Sequence, residues 1–172
     1  MKPNPNSETL DQMIRVDHAG EYGANRIYEG QLMVLKNSKI APVLKHMLEQ
    51  EQTHLAKFNE LVVKNKVRPS VLMPLWHMAG IALGVGSALL GEKAAMACTV
   101  AVEEAIDEHY KEQETLLTDP KLKTMVAQFR KEELEHRDTG IAHKAEEMRG
   151  YEAFKKLIKT GAKASIWLAK RF

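Results

Sequence analysis

The sequence predicts an all-α fold, and three observations predict it. Helix-forming residues dominate a composition that is 44% hydrophobic and 28% charged, with only ten glycines, six prolines and 6% aromatics. Apolar residues recur at helical period along four long segments and one shorter one. Polar residues then interrupt each of the four long stripes at one place, in a pattern that repeats along the chain. At 172 residues, one domain with one core is expected.

The first helical segment runs from about Thr9 to Lys36, with Thr9 and Gln12 spaced as a capping box. Its stripe includes Leu10, Ile14, Ala24, Tyr28, Leu32 and Leu35, and Asn37-Ser38-Lys39 breaks it. The second runs from about Ala41 to Val67, admits Pro42 in its first turn, and carries Leu44, Met47, Leu48, Leu55, Phe58 and Val62. The third strong pattern covers Glu92 to Leu117, with Met96, Thr99, Ile106 and Leu117 in line, and ends at Thr118-Asp119-Pro120. The fourth covers Lys121 to Met148, striped by Leu122, Val126, Phe129 and Gly140, and Gly150 closes it. Tyr151 to Phe172 forms a last, basic helix. The domain, 1–172, thus divides into a hairpin over 9–67, a crossover over 68–91, a second hairpin over 92–149 and a terminal helix over 151–172.

The crossover is anomalous. From Pro69 to Gly91 there is no Asp, Glu, Lys or Arg in 23 residues. Pro74, Gly80, Gly84, Gly86, His77 and two serines make it a poor transmembrane helix, though it is long enough to be considered. A buried connection, a membrane-surface segment and a true span are the three readings. The leader MKPNPNSETLDQ carries no apolar or Arg-rich targeting pattern, so a cytoplasmic chain, or a mature form without its transit peptide, is expected.

Charge and cysteine content narrow the chemistry. Twenty-five basic against 23 acidic residues, net +2, is too balanced to argue for nucleic acid as a global partner. The single cysteine, Cys98, excludes an intramolecular disulfide and any Cys-rich metal site. A metal here must be held by carboxylates and histidines.

Such a set exists. Glu51 and His54 interrupt the second stripe, Glu133 and His136 the fourth, Glu21 the first and Glu103 the third. A buried, unpaired carboxylate costs several kcal/mol, so four of them converging on one core need a compensating cation. Glu51/His54 and Glu133/His136 are both Glu-x-x-His, which places two ligands one turn apart on one helix face. Glu21 precedes Glu51 by 30 residues, Glu103 precedes Glu133 by 30, and all three elements repeat at an offset of 82. The midpoints of the two Glu pairs, 36 and 118, fall beside the two expected turns, as an antiparallel hairpin requires. Composition predicts roughly 0.7 Glu-x-x-His by chance, but two complete sets fewer than about 0.01, so the pattern is a signal. Four Glu and two His, with Glu-x-x-His on two of four helices, are the ligand set of a ferritin-like di-iron or di-manganese bundle, whose long connection the apolar crossover would supply.

Other residues are weaker candidates. Asp17 and Asp107 lie one turn from Glu21 and Glu103 and either orient the histidines or are ordinary surface carboxylates. Tyr110 lies two turns beyond Glu103, near the site or simply in the core. His109 reads as a surface or capping residue and His143 as a core or bundle-end residue, while His18, His46 and His77 have no partner pattern. In the last helix Lys155, Lys156, Lys159, Lys163, Lys170 and Arg171 oppose Phe154, Leu157, Ile158, Leu168 and Phe172, either as a solvated face or as a contact with an anionic membrane.

Several of these segments carry a resemblance. Arg15-Val-Asp-His-Ala-Gly-Glu21-Tyr-Gly-Ala-Asn25, the Glu51/His54 pair, Ala101-Val-Glu103-Glu104 followed by His109-Tyr110, and Glu133-Leu-Glu-His136 resemble the demethoxyubiquinone hydroxylase family of ubiquinone biosynthesis. The likeness runs from about Met13 to the end of the chain. It implies a non-haem di-iron monooxygenase that hydroxylates a quinol ring with O2, two Fe ions per chain being held by Glu21, Glu51, His54, Glu103, Glu133 and His136. It also implies an electron-transfer role at Tyr110, a reductant such as NADH, and an accessory lipid-binding partner. Asp17, Asp107 and His109 would then surround the ligands. A polyprenyl quinol lives in the bilayer, so the enzyme is expected on the cytoplasmic face of a bacterial inner membrane, or on the matrix face of the mitochondrial one. The uncharged crossover and the basic last helix would make that contact. Another ferritin-like di-metal oxidase or peroxidase, or a metal-free helical membrane adaptor, remains the alternative.

Overall fold

A computed structural model describes residues 7–172, which form helices in the order α1 (Ser7–Leu35), α2 (Ala41–Asn65), α3 (Met73–Leu89), α4 (Glu92–Leu116), α5 (Pro120–Ala142), a 3-10 turn (Ala145–Glu147) and α6 (Tyr151–Ala169). The described residues contain no strand. Local chemistry sets several of the ends. Pro42 stands in the first turn of α2, where a missing N–H costs nothing. Asp119 caps α5 by accepting from the N–H groups of Lys121 and Leu122.

Two boundaries differ from the sequence reading. α1 is already helical at Ser7, so Thr9 lies inside it and does not cap it. The polar leader expected to lack a targeting pattern lies, in its first six residues, outside the described residues. The fourth segment does not run on to Met148: α5 stops at Ala142, and Lys144 turns the chain with φ 66°. The reason is packing. Ala145, Met148 and Tyr151 close the end of the bundle against Tyr28, Leu44 and Met96, which a straight helix would have carried away.

The bundle is ferritin-like. α1 and α2 form one antiparallel hairpin, α4 and α5 the other. Tyr28 on α1 meets Glu103 on α4 while Tyr110 on α4 meets Glu21 on α1, so these two helices run antiparallel. The crossover is a helix and not a loop. α3 runs parallel to α1 so closely that a Cβ on Gly84 would lie 2.1 Å from the Ile27 carbonyl oxygen, and one on Gly30 would lie 2.6 Å from that of Ile81. Only glycine fits there.

α3 contains Trp76, buried against Val16, Ala19 and Ala169, yet it leaves Leu75, Met78 and Leu89 exposed. α6 lies along α4 and α1, with Ile158 buried on Cys98, Ala101 and Val102. Half of the basic residues over 151–172 are engaged in ion pairs within the fold. Lys155 and Lys159 pair with Glu104, and Lys159 and Lys163 with Glu108, so these three lysines fasten α6 to α4. Leu157 and Trp167, 72% and 52% exposed, are the large apolar side chains that α6 turns outward, beside Lys156.

Candidate metal centre

The six residues singled out by spacing come together in the middle of the bundle. Glu21 is brought by α1, Glu51 and His54 by α2, Glu103 by α4, and Glu133 and His136 by α5; all six are buried, none more than 3% exposed. Their ligand atoms form two overlapping sets: Glu21, Glu51, His54 and Glu133, and Glu51, Glu103, Glu133 and His136. The atoms of each set lie within 4.8 Å of one another. Glu51 and Glu133 belong to both sets; Glu21 with His54, and Glu103 with His136, belong to one each. Glu133 makes the sharing explicit, with Oε1 3.1 Å from His54 Nδ1 and Oε2 3.4 Å from His136 Nδ1.

A cluster of this kind is electrostatically unbalanced. Burial, and then the charges of Glu133 and Glu21, push Glu51 well above the ordinary carboxylate range. Burial and Glu133 push Glu103 up to about 8. Burial also works against ionisation of Glu133, but hydrogen bonds from His136 and His54 outweigh it and hold that carboxyl below its ordinary value. For His54, burial opposes the charged form, yet bonds to Glu133 and Glu21 raise it to about 12. His136 rises in the same way, through Glu103, Glu133 and Glu51. The cluster demands positive charge.

Its donor chemistry fits a pair of hard or borderline divalent cations. Eight buried atoms of these six residues have no hydrogen-bond partner outside their own cluster: Glu21 Oε2, both oxygens of Glu51 and of Glu133, Glu103 Oε2, and Nδ1 of each histidine. Leaving so many acceptors bare in one place is costly unless a cation takes them. Oxygen and imidazole nitrogen suit iron or manganese.

The surrounding shell departs from the sequence reading. Asp17 and Asp107 orient neither histidine. Asp107 accepts from Arg130 at 2.7 Å. Asp17, buried, accepts from Gln113 at 2.7 Å and lies 3.0 Å from His109 Nε2, forming a polar knot beside Tyr110. The imidazoles are held instead by Glu132, 2.6 Å from His54 Nε2, and by Gln50, 3.0 Å from His136 Nε2. Phe129 stacks on His54 with ring centres 4.0 Å apart.

Tyr110 is buried and donates to Glu21, the cluster carboxylate that the other hairpin brings on α1. Tyr28, read from sequence only as part of an apolar stripe, donates to Glu103 at 2.8 Å. The 82-residue offset held the missing signal: it maps Tyr28 onto Tyr110, Gln31 onto Gln113 and Gln50 onto Glu132. The remaining histidines lie apart. His18 bonds Asn59, His77 bonds Tyr22, and His143 sits at the end of α5 against the Thr139 carbonyl.

Known proteins are similar to this chain over nearly all of its length. A family described as ubiquinone biosynthesis protein COQ7 matches residues 8–169. The NADPH-dependent 3-demethoxyubiquinone 3-hydroxylase of Rattus norvegicus mitochondria is 54% identical over 98% of the chain and 81% of its own length. The 3-demethoxyubiquinol 3-hydroxylase of Rhodospirillum rubrum is 54% identical over the same shares. The mitochondrial 5-demethoxyubiquinone hydroxylase of Saccharomyces cerevisiae is 42% identical over 94% of the chain and 78% of its length.

Proposed function

The chain belongs to the COQ7 family of ubiquinone biosynthesis proteins, and from that premise we propose that it is a 3-demethoxyubiquinol 3-hydroxylase working through two iron ions, dioxygen and an external reductant. The observation that carries this reading is the double set of buried Glu and His ligands, closed to within 4.8 Å and sharing Glu51 and Glu133. Glu21, Glu51, His54, Glu103, Glu133 and His136 are the proposed ligands. Bound iron would supply the electrons and Lewis acidity for dioxygen chemistry.

The chain's own contribution is placement. The two shared carboxylates hold the positions together, and the imidazoles offer Nδ1 because Nε2 is engaged from outside. Tyr110 and Tyr28 each keep a hydroxyl proton on one oxygen of a terminal carboxylate, leaving the other oxygen for metal. Tyr110, with the Asp17–His109–Gln113 knot behind it, is the proposed electron route, and a nicotinamide donor is supported by the names of relatives called NADPH-dependent.

The substrate is a membrane lipid. No helix among the described residues is long and apolar enough to cross a bilayer. The exposed apolar side chains of α3 and α6 instead support a peripheral contact, on a bacterial inner membrane or the matrix face of a mitochondrial one, with an accessory lipid-binding protein as a further partner. The test is anaerobic iron loading followed by turnover of a short-tailed demethoxyubiquinol, read by mass as the gain of one oxygen. Glu133→Ala should retain its helices and lose both iron and product. Full hydroxylation by that variant would sink the assignment.

A further inference from the structure

The two hairpins carry matched ligands, but the residues behind the histidines are not matched. The 82-residue offset places Gln50 opposite Glu132, and each holds the histidine of the other hairpin. Glu132 Oε2 lies 2.6 Å from His54 Nε2; Gln50 Oε1 lies 3.0 Å from His136 Nε2. A carboxylate or amide oxygen only accepts, so both rings carry a proton on Nε2, and Nδ1, which faces the central carboxylates, is the atom a metal would take in place of the proton there. One imidazole therefore shares its proton with an anion, the other with a neutral amide. Glu132 is itself fixed, its side chain 22% exposed and its second oxygen accepting from Gln128 at 3.0 Å. In every direct contact the two candidate sets are alike, three Glu and one His each.

Resting on the two-metal reading, we propose that Glu132 is a positioning residue that makes the two metal positions unequal. The position bounded by Glu21, Glu51, His54 and Glu133 takes a divalent cation before the position bounded by Glu51, Glu103, Glu133 and His136. The physical reason is that a carboxylate hydrogen-bonded to the far nitrogen raises the basicity of the ligating one and fixes the ring. It also adds negative charge behind one position only. A neutral amide fixes the ring without adding charge.

The test is anaerobic titration of the metal-free protein with Co(II), followed by ligand-field absorption and calorimetry. The wild type should bind two ions in two resolved steps. Glu132→Gln should weaken the first step about 10-fold and merge it with the second. Gln50→Glu should strengthen the second step by a similar factor and also merge them. The double exchange, Gln50→Glu with Glu132→Gln, should restore two steps in reversed order, visible as anomalous density beside His136 in crystals grown at one equivalent of Co(II). A merely structural role for Glu132 predicts loss in Glu132→Gln and no gain in Gln50→Glu, and that outcome overturns the proposal. Two equal steps in the wild type overturn it while leaving the two-metal centre intact. Fewer than two ions bound per chain overturns both.

Discussion

Glu51 and Glu133 occupy matching places in the two hairpins, yet their neighbours pull them in opposite directions. Glu51 faces mainly other carboxylates and is driven toward its neutral form; Glu133 accepts from both histidines and stays ionised. In the metal-free protein Glu51→Gln should therefore be neutral or slightly stabilising. Glu133→Gln should cost about 1–3 kcal/mol, because it strips the shared anion from two buried imidazoles. Urea denaturation with a chelator checks this, and both variants should lose the stabilisation that Co(II) gives the wild type.

The same residues set a pH dependence. Glu103 rises from 4.5 to about 8 on folding, so its contribution to the metal-free fold is present below about 4.5 and lost as pH rises through about 8. His54, raised from 6.5 to about 12, contributes below about 6.5 and loses that contribution as pH rises through about 12. Metal must displace these protons, so it competes poorly in acid. The rise in Tm on adding Mn(II) should therefore grow from about pH 5 to about pH 8, measured by calorimetry with and without metal. A pH-independent gain would place the metal elsewhere.

At the scale of elements, the α2 start was legible because Pro42 is read locally, and the turn before α5 because Thr118-Asp119-Pro120 is. Asp119→Ala should cost about 1 kcal/mol in denaturant and leave metal stoichiometry unchanged, as the cap lies at the end of the bundle. The crossover was harder. Its composition permitted a buried connection, a surface segment or a span, and no periodicity decided among them. No described helix is long and apolar enough to span a bilayer, and the backbone contact at Gly30 and Gly84 presses one face of α3 onto α1 while Leu75, Met78 and Leu89 stay exposed. Gly84→Ala should thus cost more than the cap does, about 1–3 kcal/mol, because the new methyl meets the Ile27 carbonyl and not a movable side chain. Denaturant midpoints of the two variants give the comparison directly.

Over the whole molecule, α3 and α6 cover one side of the four-helix core and meet at one end. There Ala169 packs on Trp76 and the Val71 N–H donates to the Phe172 carbonyl. With four of the acidic residues buried in the central cluster, the exterior carries more net positive charge than the formal +2. The fold redistributes that surplus, since Lys155, Lys159 and Lys163 are spent on Glu104 and Glu108. The proposed bilayer contact would then fall to apolar side chains more than to these three lysines. Leu157→Glu with Trp167→Glu should lower cosedimentation with lipid vesicles about tenfold or more. Turnover of a water-soluble quinol analogue should change little.

The sequence by itself determined the helices of the two hairpins and the six residues of the central cluster, because each follows from short-range rules: a 3.6-residue period, a one-turn Glu-x-x-His, and level positions in an antiparallel pair. Tyr28, Glu132 and Gln50 followed the same repeat but not any local signal of chemistry, since a tyrosine in a stripe or a glutamate on a helix is ordinary. Only the tertiary structure decided what they touch. The partners lie 75 to 86 positions away on other helices, and the crossing of the two hairpins brings each residue to a cluster residue of the other half. It also decided which face of α6 is bound and which is exposed, because that depends on Glu104 and Glu108 of α4 and not on α6 itself.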